Sequence, residues 1–213
     1  MDDVLKLVNI DYEYDEEHDD YWKNREFVLK AVKKFGLVLQ FAPDELRNDK
    51  EIVLKAVDNE GSSLVFASDE LRNDREIVLK AVDNDGTSLE FASDKLRNDR
   101  EIVLKAIKYY SATLKYASRE LRNDKEIVLK SIINIANNLI FASDELLNNK
   151  KFLFEALKIN KYVLNWIPKQ ILMDKKFITK ALRNIPFLNY VEYKRTNKIG
   201  FIPFYSKSQI KFL

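Results

Sequence analysis

The segment Glu51–Val57, EIVLKAV, recurs unchanged at Glu76–Val82 and decides how this chain folds. Its start recurs at a constant interval and defines repeats 1 to 7, at Glu26, Glu51, Glu76, Glu101, Glu126, Lys151 and Lys176. A fixed period of this kind is typical of tandem arrays, in which each small unit packs on its neighbours. The sequence therefore predicts an all-α fold, an α-solenoid of seven 25-residue helical repeats with degenerate caps at both ends.

Each repeat carries signals for one longer helix. Near Asn73, either Asn73 or Asp74 is suited to cap a helix, and Asn-x-x-Glu has the spacing of a capping box. Apolar residues then recur at the spacing of one helix face, at Ile77, Val78, Ala81 and Val82. The helix is predicted to end near Gly86, with glycine as a left-handed stop.

Two shorter segments are predicted to complete the repeat. Thr87 or Ser88 is suited to cap a second, short helix, and Ser93 to cap a third segment of a single turn. Two other repeats place Pro43 and Pro168 at the position of Ser93. Because proline is tolerated in the first turn of a helix but not in its interior, these prolines support a helix start at that position.

Three columns of apolar residues recur through the array. The first is Leu39, Leu64, Leu89, Leu114, Leu139 and Leu164. The second is Phe41, Phe66, Phe91, Tyr116, Phe141 and Trp166, and the third is Leu46, Leu71, Leu96, Leu121, Leu146 and Ile171. Since a single repeat is too small to bury its own apolar face, we expect the three columns to form a continuous core.

Two charged columns are predicted to be structural. The lysine column is Lys30, Lys55, Lys80, Lys105, Lys130 and Lys180, and all but the last follow a glutamate by four residues. We therefore expect Glu–Lys pairs on a solvated helix face. The arginine column is Arg47, Arg72, Arg97 and Arg122, beside Asp49, Asp74, Asp99 and Asp124. We expect these arginines to make ion pairs and carbonyl contacts between repeats.

Charge divides the chain into segments with different predicted roles. Residues 1–25 carry nine acidic and three basic residues and are predicted to form a degenerate N-terminal cap, with a helix-like segment at Val4–Val8 and an acidic loop at Asp11–Asp20. The array is predicted over residues 26–190, and residues 191–213 are predicted to form a basic, aromatic C-terminal tail or cap. Residues 151–213 carry three acidic and 13 basic residues. The chain thus has an acidic end and a basic end.

Composition argues against catalysis. The chain has one histidine, His18, no cysteine and four glycines, so catalytic triads, zinc sites and glycine-rich phosphate loops lack their residues. We expect no catalytic residue, no cofactor and no metal. No apolar stretch approaches the length of a membrane span, and MDDVLK places acidic residues where a secretory signal needs basic ones. The absence of cysteine suits a reducing compartment, so we expect a cytoplasmic protein, including the cytoplasm of a host cell.

The repeat N-D-R-E-I-V-L-K-A-V-x-x-x-G-x-x-L-x-F-A-S-x-x-L-R resembles the domain of unknown function 4116. The resemblance covers about residues 24–190 and is strongest from Glu26 through Asn148, where Leu-Arg-Asn-Asp closes four consecutive repeats. It implies a helical array, a viral or intracellular-parasite source, and no established activity. No site residue carries over from this family.

Function is predicted where the chain departs from its own repeat. Tyr109 and Tyr110 stand where other repeats carry Asn-Glu or Asn-Asp, and Ile133 and Ile135 stand at almost the same place in the next repeat. We predict that these four residues contact a protein partner, because exposed apolar and aromatic side chains are favoured binding anchors. The alternative is local packing beneath the loop.

The C-terminal tail is the second departure. It carries Lys194, Arg195, Lys198, Lys207 and Lys211 among aromatic residues. Basic and aromatic residues together indicate nucleic-acid contact, or else a cap whose aromatics close the core. The predicted function is a non-enzymatic scaffold for protein–protein interaction. The alternatives are an accessory nucleic-acid or ribonucleoprotein binder that uses the basic C-terminal third, and head-to-tail self-assembly through the acidic and basic ends.

Overall fold

The computed structural model describes residues 19–185, which form helices and turns with no strand among them. This confirms the predicted all-α repeat solenoid. The chain divides into two compact units, Met1–Ser118 and Arg119–Leu213, called here the first and second units. Within each unit, the longer helices of consecutive repeats contact one another, and so do the successive six-residue 3-10 helices.

The first unit opens with the short helix Asp19–Lys23. Its longer helices are Arg25–Val32, Lys50–Asn59, Arg75–Asn84 and Arg100–Tyr109. Each is followed by a 3-10 helix of six residues, at Gly36–Phe41, Gly61–Phe66, Gly86–Phe91 and Ser111–Tyr116. One-turn helices occur at Asp44–Arg47, Asp69–Arg72 and Asp94–Arg97.

The second unit repeats the same order of elements. Its longer helices are Lys125–Ile132, Lys150–Ile159 and Lys175–Asn184. Its 3-10 helices are Leu121–Asn123, Ala136–Phe141 and Lys161–Trp166. One-turn helices lie at Asp144–Leu147 and Lys169–Leu172.

Helix starts follow the predicted capping chemistry. Of the two candidates, Asp74 is the cap, and its side chain accepts hydrogen bonds from the backbone N–H groups of Glu76 and Ile77. Asn73 instead ends the preceding one-turn helix. Ser93 caps the third segment, as predicted. The second segment is a 3-10 helix capped by Asp85, so the prediction of Thr87 or Ser88 as its cap is wrong.

Glycine at the end of the longer helix has a different role from the predicted one. Gly36, Gly61 and Gly86 do not adopt the left-handed conformation. They are buried, and a Cβ atom on Gly61 would lie 2.5 Å from the carbonyl oxygen of Ala81 in the next repeat. The corresponding distance from Gly86 to Ala106 O is 2.6 Å. Glycine is therefore required for close approach between repeats rather than for a turn.

The apolar columns differ in how deeply they are buried. The first leucine column is at most 2% exposed from Leu39 to Leu164, and the helix face Ile77, Val78, Ala81 and Val82 is fully buried. The third column is buried except for Leu46, which is half-buried. The phenylalanine column was predicted to belong to the continuous core, but it lies at the edge of the buried region. Phe41 through Phe141 are half-buried, and Trp166 is 42% exposed.

Candidate functional site

Ion pairs between repeats lie on a column that the sequence interpretation overlooked. The first residue of each longer helix is basic, and in repeats 1, 2, 3 and 6 this residue pairs with the helix start of the next repeat. Arg25 bonds Asp49 at 2.7 Å and Glu51 at 2.6 Å, and Lys50 bonds Asp74 at 2.9 Å and Glu76 at 2.8 Å. The signal was present in the sequence, as a basic residue that precedes each glutamate of the grid by one position.

The predicted ion pairs of the arginine and lysine columns are mostly wrong. Arg47, Arg72 and Arg97 pair with an aspartate three residues earlier in their own one-turn helix, at Asp44, Asp69 and Asp94. Their backbone carbonyls do link repeats, because Ser68, Ser93 and Ser118 donate their N–H groups to them. In the lysine column Lys130 pairs with Glu126 as predicted, whereas Lys80 reaches Asp58 and Lys105 reaches Asp83 of the preceding repeat.

The ion pairs made by Arg25 and Lys50 lower the pKa values of the aspartates that they contact at the helix starts. The hydrogen bond from Arg25 lowers the pKa of Asp49, and backbone N–H groups add to the effect. For Asp74, partial burial opposes ionisation, but hydrogen bonds from Lys50 and from the helix start outweigh it and lower the pKa. Each aspartate is thus held as a carboxylate that both caps its helix and binds the preceding repeat.

The junction between each longer helix and the following 3-10 helix is the candidate site. In the first unit, an asparagine of the following repeat forms hydrogen bonds with the backbone at this junction. The side-chain oxygen of Asn84 accepts from Gly61 N at 2.9 Å, and its amide donates to Asp58 O at 3.0 Å. Asn59 makes the equivalent bonds to Gly36 N and Lys33 O. Neighbouring junctions are therefore tied directly to one another within this unit.

Repeat 4 replaces the asparagine by Tyr109. The hydroxyl of Tyr109 donates a hydrogen bond to the side chain of Asp83, which raises the pKa of Tyr109. The pKa of Asp83 is lowered, first by the hydrogen bond from Lys105 and then by the one from Tyr109. Tyr109 is 52% exposed and Tyr110 is 50% exposed. Two large aromatic side chains thus lie on the surface where repeats 2 and 3 present polar residues.

The second unit also exposes apolar side chains at its junctions. Ile133 is 55% exposed and Ile135 is half-buried. Asn160 donates its side-chain amide to the carbonyl oxygens of Ile132 at 2.8 Å and Ile133 at 3.3 Å, so that the junctions of repeats 5 and 6 meet. Ile159, beside that asparagine, is 46% exposed and Tyr162 is 58% exposed. Sequence interpretation missed Ile159 and Tyr162, although both depart from the polar residues of repeats 2 and 3.

The longer helices of repeats 6 and 7 expose a cationic surface in the second unit. Phe154 lies between two lysines, with Lys158 Nζ 5.1 Å and Lys180 Nζ 4.9 Å from its ring centroid. Lys151 and Lys176 are exposed on the same two helices, where repeats 1 to 5 carry glutamate. Residues 150–185 contain nine basic and two acidic residues, a net charge of +7.

The described part of the predicted N-terminal cap covers the first repeat. Trp22 is 7% exposed, and its ring centroid lies 5.4 Å from that of Phe27 and 5.1 Å from that of Phe41. This tryptophan was not singled out from the sequence, although it directly precedes repeat 1. Val4–Val8, most of the acidic loop Asp11–Asp20, and the predicted tail residues Lys194, Arg195, Lys198, Lys207 and Lys211 lie outside the described residues.

Residues 19–185 contain neither a metal-ligand cluster nor a membrane-spanning helix. Within that range no three His, Cys, Asp or Glu side chains gather in a way suited to a metal ion. Among the helices of the same range, none is both long and apolar enough to cross a membrane.

Comparison with known proteins identifies a family match. The model of the family described as Domain of unknown function (DUF4116) matches five overlapping segments, residues 24–72, 50–97, 74–122, 99–135 and 124–172. Together these segments cover residues 24–172, so the match ends before repeat 7 begins. No curated protein and no solved structure matches the chain significantly.

Proposed function

Because this chain belongs to the DUF4116 family of tandem helical repeats, we propose that it is a non-enzymatic scaffold that mediates protein–protein interaction. Repeat arrays present extended surfaces built from equivalent positions, and such surfaces commonly bind other proteins. The residues that depart from the repeat, rather than those that maintain it, give this scaffold its partner.

The observation that carries the proposal is the exposure of large apolar side chains at the junctions. Tyr109, Tyr110, Ile133, Ile159 and Tyr162 are each between 46% and 58% exposed. Repeats 2 and 3 place polar residues at the corresponding positions, and of these Asn59 and Asn84 make hydrogen bonds between repeats. Exposed apolar groups of this size favour a covering partner, and tyrosine is enriched at the energetic centres of interfaces.

The absence of catalytic chemistry is part of the same proposal. The sequence has a single histidine and no cysteine, and its acidic side chains at the helix starts are occupied as caps and inter-repeat ion pairs. We place the scaffold in the cytoplasm, a reducing compartment that suits a chain without cysteine. No cofactor enters the proposed function.

Nucleic-acid or ribonucleoprotein binding through residues 151–213 is the second candidate function. The exposed Lys151, Lys158, Lys176 and Lys180 favour it, because a surface with more lysines than carboxylates attracts phosphate. Nuclease treatment separates the two candidates, since contacts made through nucleic acid are lost when it is degraded.

The test is the double substitution Tyr109→Asn with Tyr110→Asp, which restores the residues of repeat 3. Melting temperature is measured by circular dichroism, and captured proteins from native cytoplasm are identified by mass spectrometry, with and without nuclease. The variant is expected to keep its stability, because the side-chain oxygen of the asparagine introduced at position 109 is placed to accept a hydrogen bond from Gly86 N, as Asn84 Oδ1 does from Gly61 N. Capture is expected to fall about tenfold or more, as aromatic anchors contribute about 2 kcal/mol at interfaces.

The control is Val65→Thr, which alters an exposed apolar side chain outside the junctions of the same unit. It is expected to leave capture unchanged. Unimpaired capture by the folded Tyr109/Tyr110 variant would contradict the proposal, and so would capture that disappears entirely with nuclease.

A further inference from the structure

Two lysines of the second unit occupy positions that form an ion pair elsewhere in the array. In the first unit, Lys80 Nζ lies 2.5 Å from Asp58 Oδ1 of the preceding repeat, and Lys105 Nζ lies 3.0 Å from Asp83 Oδ1. The same two positions in repeats 6 and 7 hold Lys158 and Lys180. Two cations thus replace a cation and an anion.

The position between these lysines is also changed. Repeats 2 and 3 carry Leu54 and Leu79 there, whereas repeat 6 carries Phe154. Its ring is approached by both ammonium groups, at 5.1 Å and 4.9 Å from the centroid. Cation–π attraction holds the two charges close together without neutralising them. The only carboxylate on the exposed surface of these two longer helices is that of Glu155.

The geometry favours a carboxylate-bearing peptide over a nucleic acid as the ligand of this surface. Phe154 is partly buried and both ammonium groups already contact its ring, so the ring is less available for stacking a base, which is how single-stranded nucleic acids gain much of their affinity. Exposed Ile159 follows Lys158 by one residue and suits an apolar side chain of a protein segment. A suitable ligand therefore alternates carboxylates with apolar or aromatic side chains.

This chain contains such a segment. Residues 11–17 read Asp-Tyr-Glu-Tyr-Asp-Glu-Glu, with five acidic residues, two tyrosines and no basic residue. The surface that would receive it belongs to a stretch with a net charge of +7. Opposite charges of this size steer association and fix its register.

We propose that residues 11–17 of one copy bind the surface formed by Lys151, Phe154, Lys158, Lys176 and Lys180 of a second copy. The contact joins two different surfaces, so it is heterologous and links chains head to tail. It deepens the proposed function, since the partner is then a second copy of the scaffold, and it uses a surface separate from Tyr109 and Tyr110. Either contact can fail without the other.

The test uses two variants of the full chain, each with one defective end. The receptor variant is Lys158→Glu with Lys180→Glu. The donor variant changes the five acids of residues 11–17 to their amides: Asp11→Asn, Glu13→Gln, Asp15→Asn, Glu16→Gln and Glu17→Gln. Sedimentation velocity measures the mass of each protein over a range of concentrations. The wild type is expected to grow in mass with concentration, and each variant alone is expected to stay monomeric.

Mixing the two variants gives the discriminating result. The receptor variant keeps an intact acidic segment and the donor variant keeps an intact basic surface, so the mixture is expected to form dimers and nothing larger. Association is expected to weaken at least about tenfold between about 0.1 M and about 1 M salt, because the Debye length falls from about 10 Å to about 3 Å.

The matched control is Lys33→Glu with Lys55→Glu. These lysines occupy the same two repeat positions in the first unit, on either side of Leu29 rather than a phenylalanine. The charge change equals that of the receptor variant, so retained self-association would show that position rather than net charge matters. Association lost equally in this control would overturn the proposal. A wild type that stays monomeric would do so as well, including one that instead binds single-stranded nucleic acid through Lys158 and Lys180.

Discussion

Gly61→Ala is a direct probe of the close approach between repeats 2 and 3. The added methyl carbon would lie 2.5 Å from Ala81 O, 2.8 Å from Ser88 Oγ and 3.0 Å from Asp85 N. Ordinary contacts of a methyl group with such atoms are about 3.5–4.0 Å. Two of the three contacts are with backbone atoms, which no change of rotamer can move, so repeats 2 and 3 must separate to admit the methyl group.

The cost follows from three contributions. Overpacking of a buried site costs about 1–3 kcal/mol. Separation also weakens the bond from Gly61 N to Asn84 Oδ1, now 2.9 Å long, at a cost of about 1 kcal/mol. Replacing glycine by alanine restricts the unfolded chain and offsets about 0.4–1 kcal/mol of this. The expected net loss in the free energy of unfolding is about 1–3 kcal/mol.

Urea unfolding followed by circular dichroism measures this loss. The companion substitution is Ala136→Gly, which removes a methyl group at the same repeat position in repeat 5, where the residue is half-buried. It is expected to cost no more than about 1 kcal/mol, the usual penalty of added backbone freedom. If Gly61→Ala leaves stability unchanged or raises it, the spacing of repeats 2 and 3 is not set by the contact between Gly61 and Ala81.

Two further stability predictions follow from burial and from charge. Leu89→Ala is expected to lower the free energy of unfolding by about 2–5 kcal/mol. Phe91→Ala is expected to lower it by less, because Leu89 is fully buried and Phe91 only half-buried. Denaturant unfolding of both variants checks this order, and the reverse order would contradict the observed burial. Asp74→Asn is expected to keep the helix cap, as Asn149 does in repeat 6, but to lose the ion pair with Lys50. The folded-state pKa of Asp74 is lowered, so its stabilisation is present above the unfolded pKa of about 3.9 and is lost as pH falls through the folded value. Melting temperature measured from neutral pH down to about pH 3 should therefore fall less steeply for Asp74→Asn than for the wild type, and equal slopes would contradict the assignment.

The sequence predicted the order of helices well because the signals involved are local. A cap such as Ser93 and the face formed by Ile77, Val78, Ala81 and Val82 depend on neighbours close by along the chain. The constant period of the repeat then averages out the ambiguity of any single copy.

Contacts between repeats were predicted less well because they depend on the distance between helices. Glycine at position 61 is consistent with a left-handed turn or with close packing, and only the position of Ala81 O decides between them. In the same way, Lys80 has a glutamate four residues before it in sequence but bonds Asp58 from the preceding repeat. The repeat pattern does not by itself show which residues of neighbouring repeats face each other.

The candidate site was predictable only in part, for a related reason. Tyr109 and Ile133 were found because they break a column of polar residues, and both are exposed. Lys158 and Lys180 do not break the pattern in this obvious way, since lysine is common on the surface of every repeat. Their significance appears only when each is compared with the residue that faces it across the repeat boundary.

A repeat protein therefore needs two comparisons before function can be assigned to a residue. The first comparison is between the residue and its equivalents in the other repeats. The second comparison is between the residue that it faces in the neighbouring repeat and the equivalents of that facing residue. At Lys80 and Asp58 the partner is a carboxylate and the charge is neutralised within the fold. At Lys180 the equivalent position holds Lys158, so these two charges are not paired with each other as those of Lys80 and Asp58 are. This difference is the basis for proposing a binding surface at Lys158 and Lys180 and a structural role for Lys80 and Lys105.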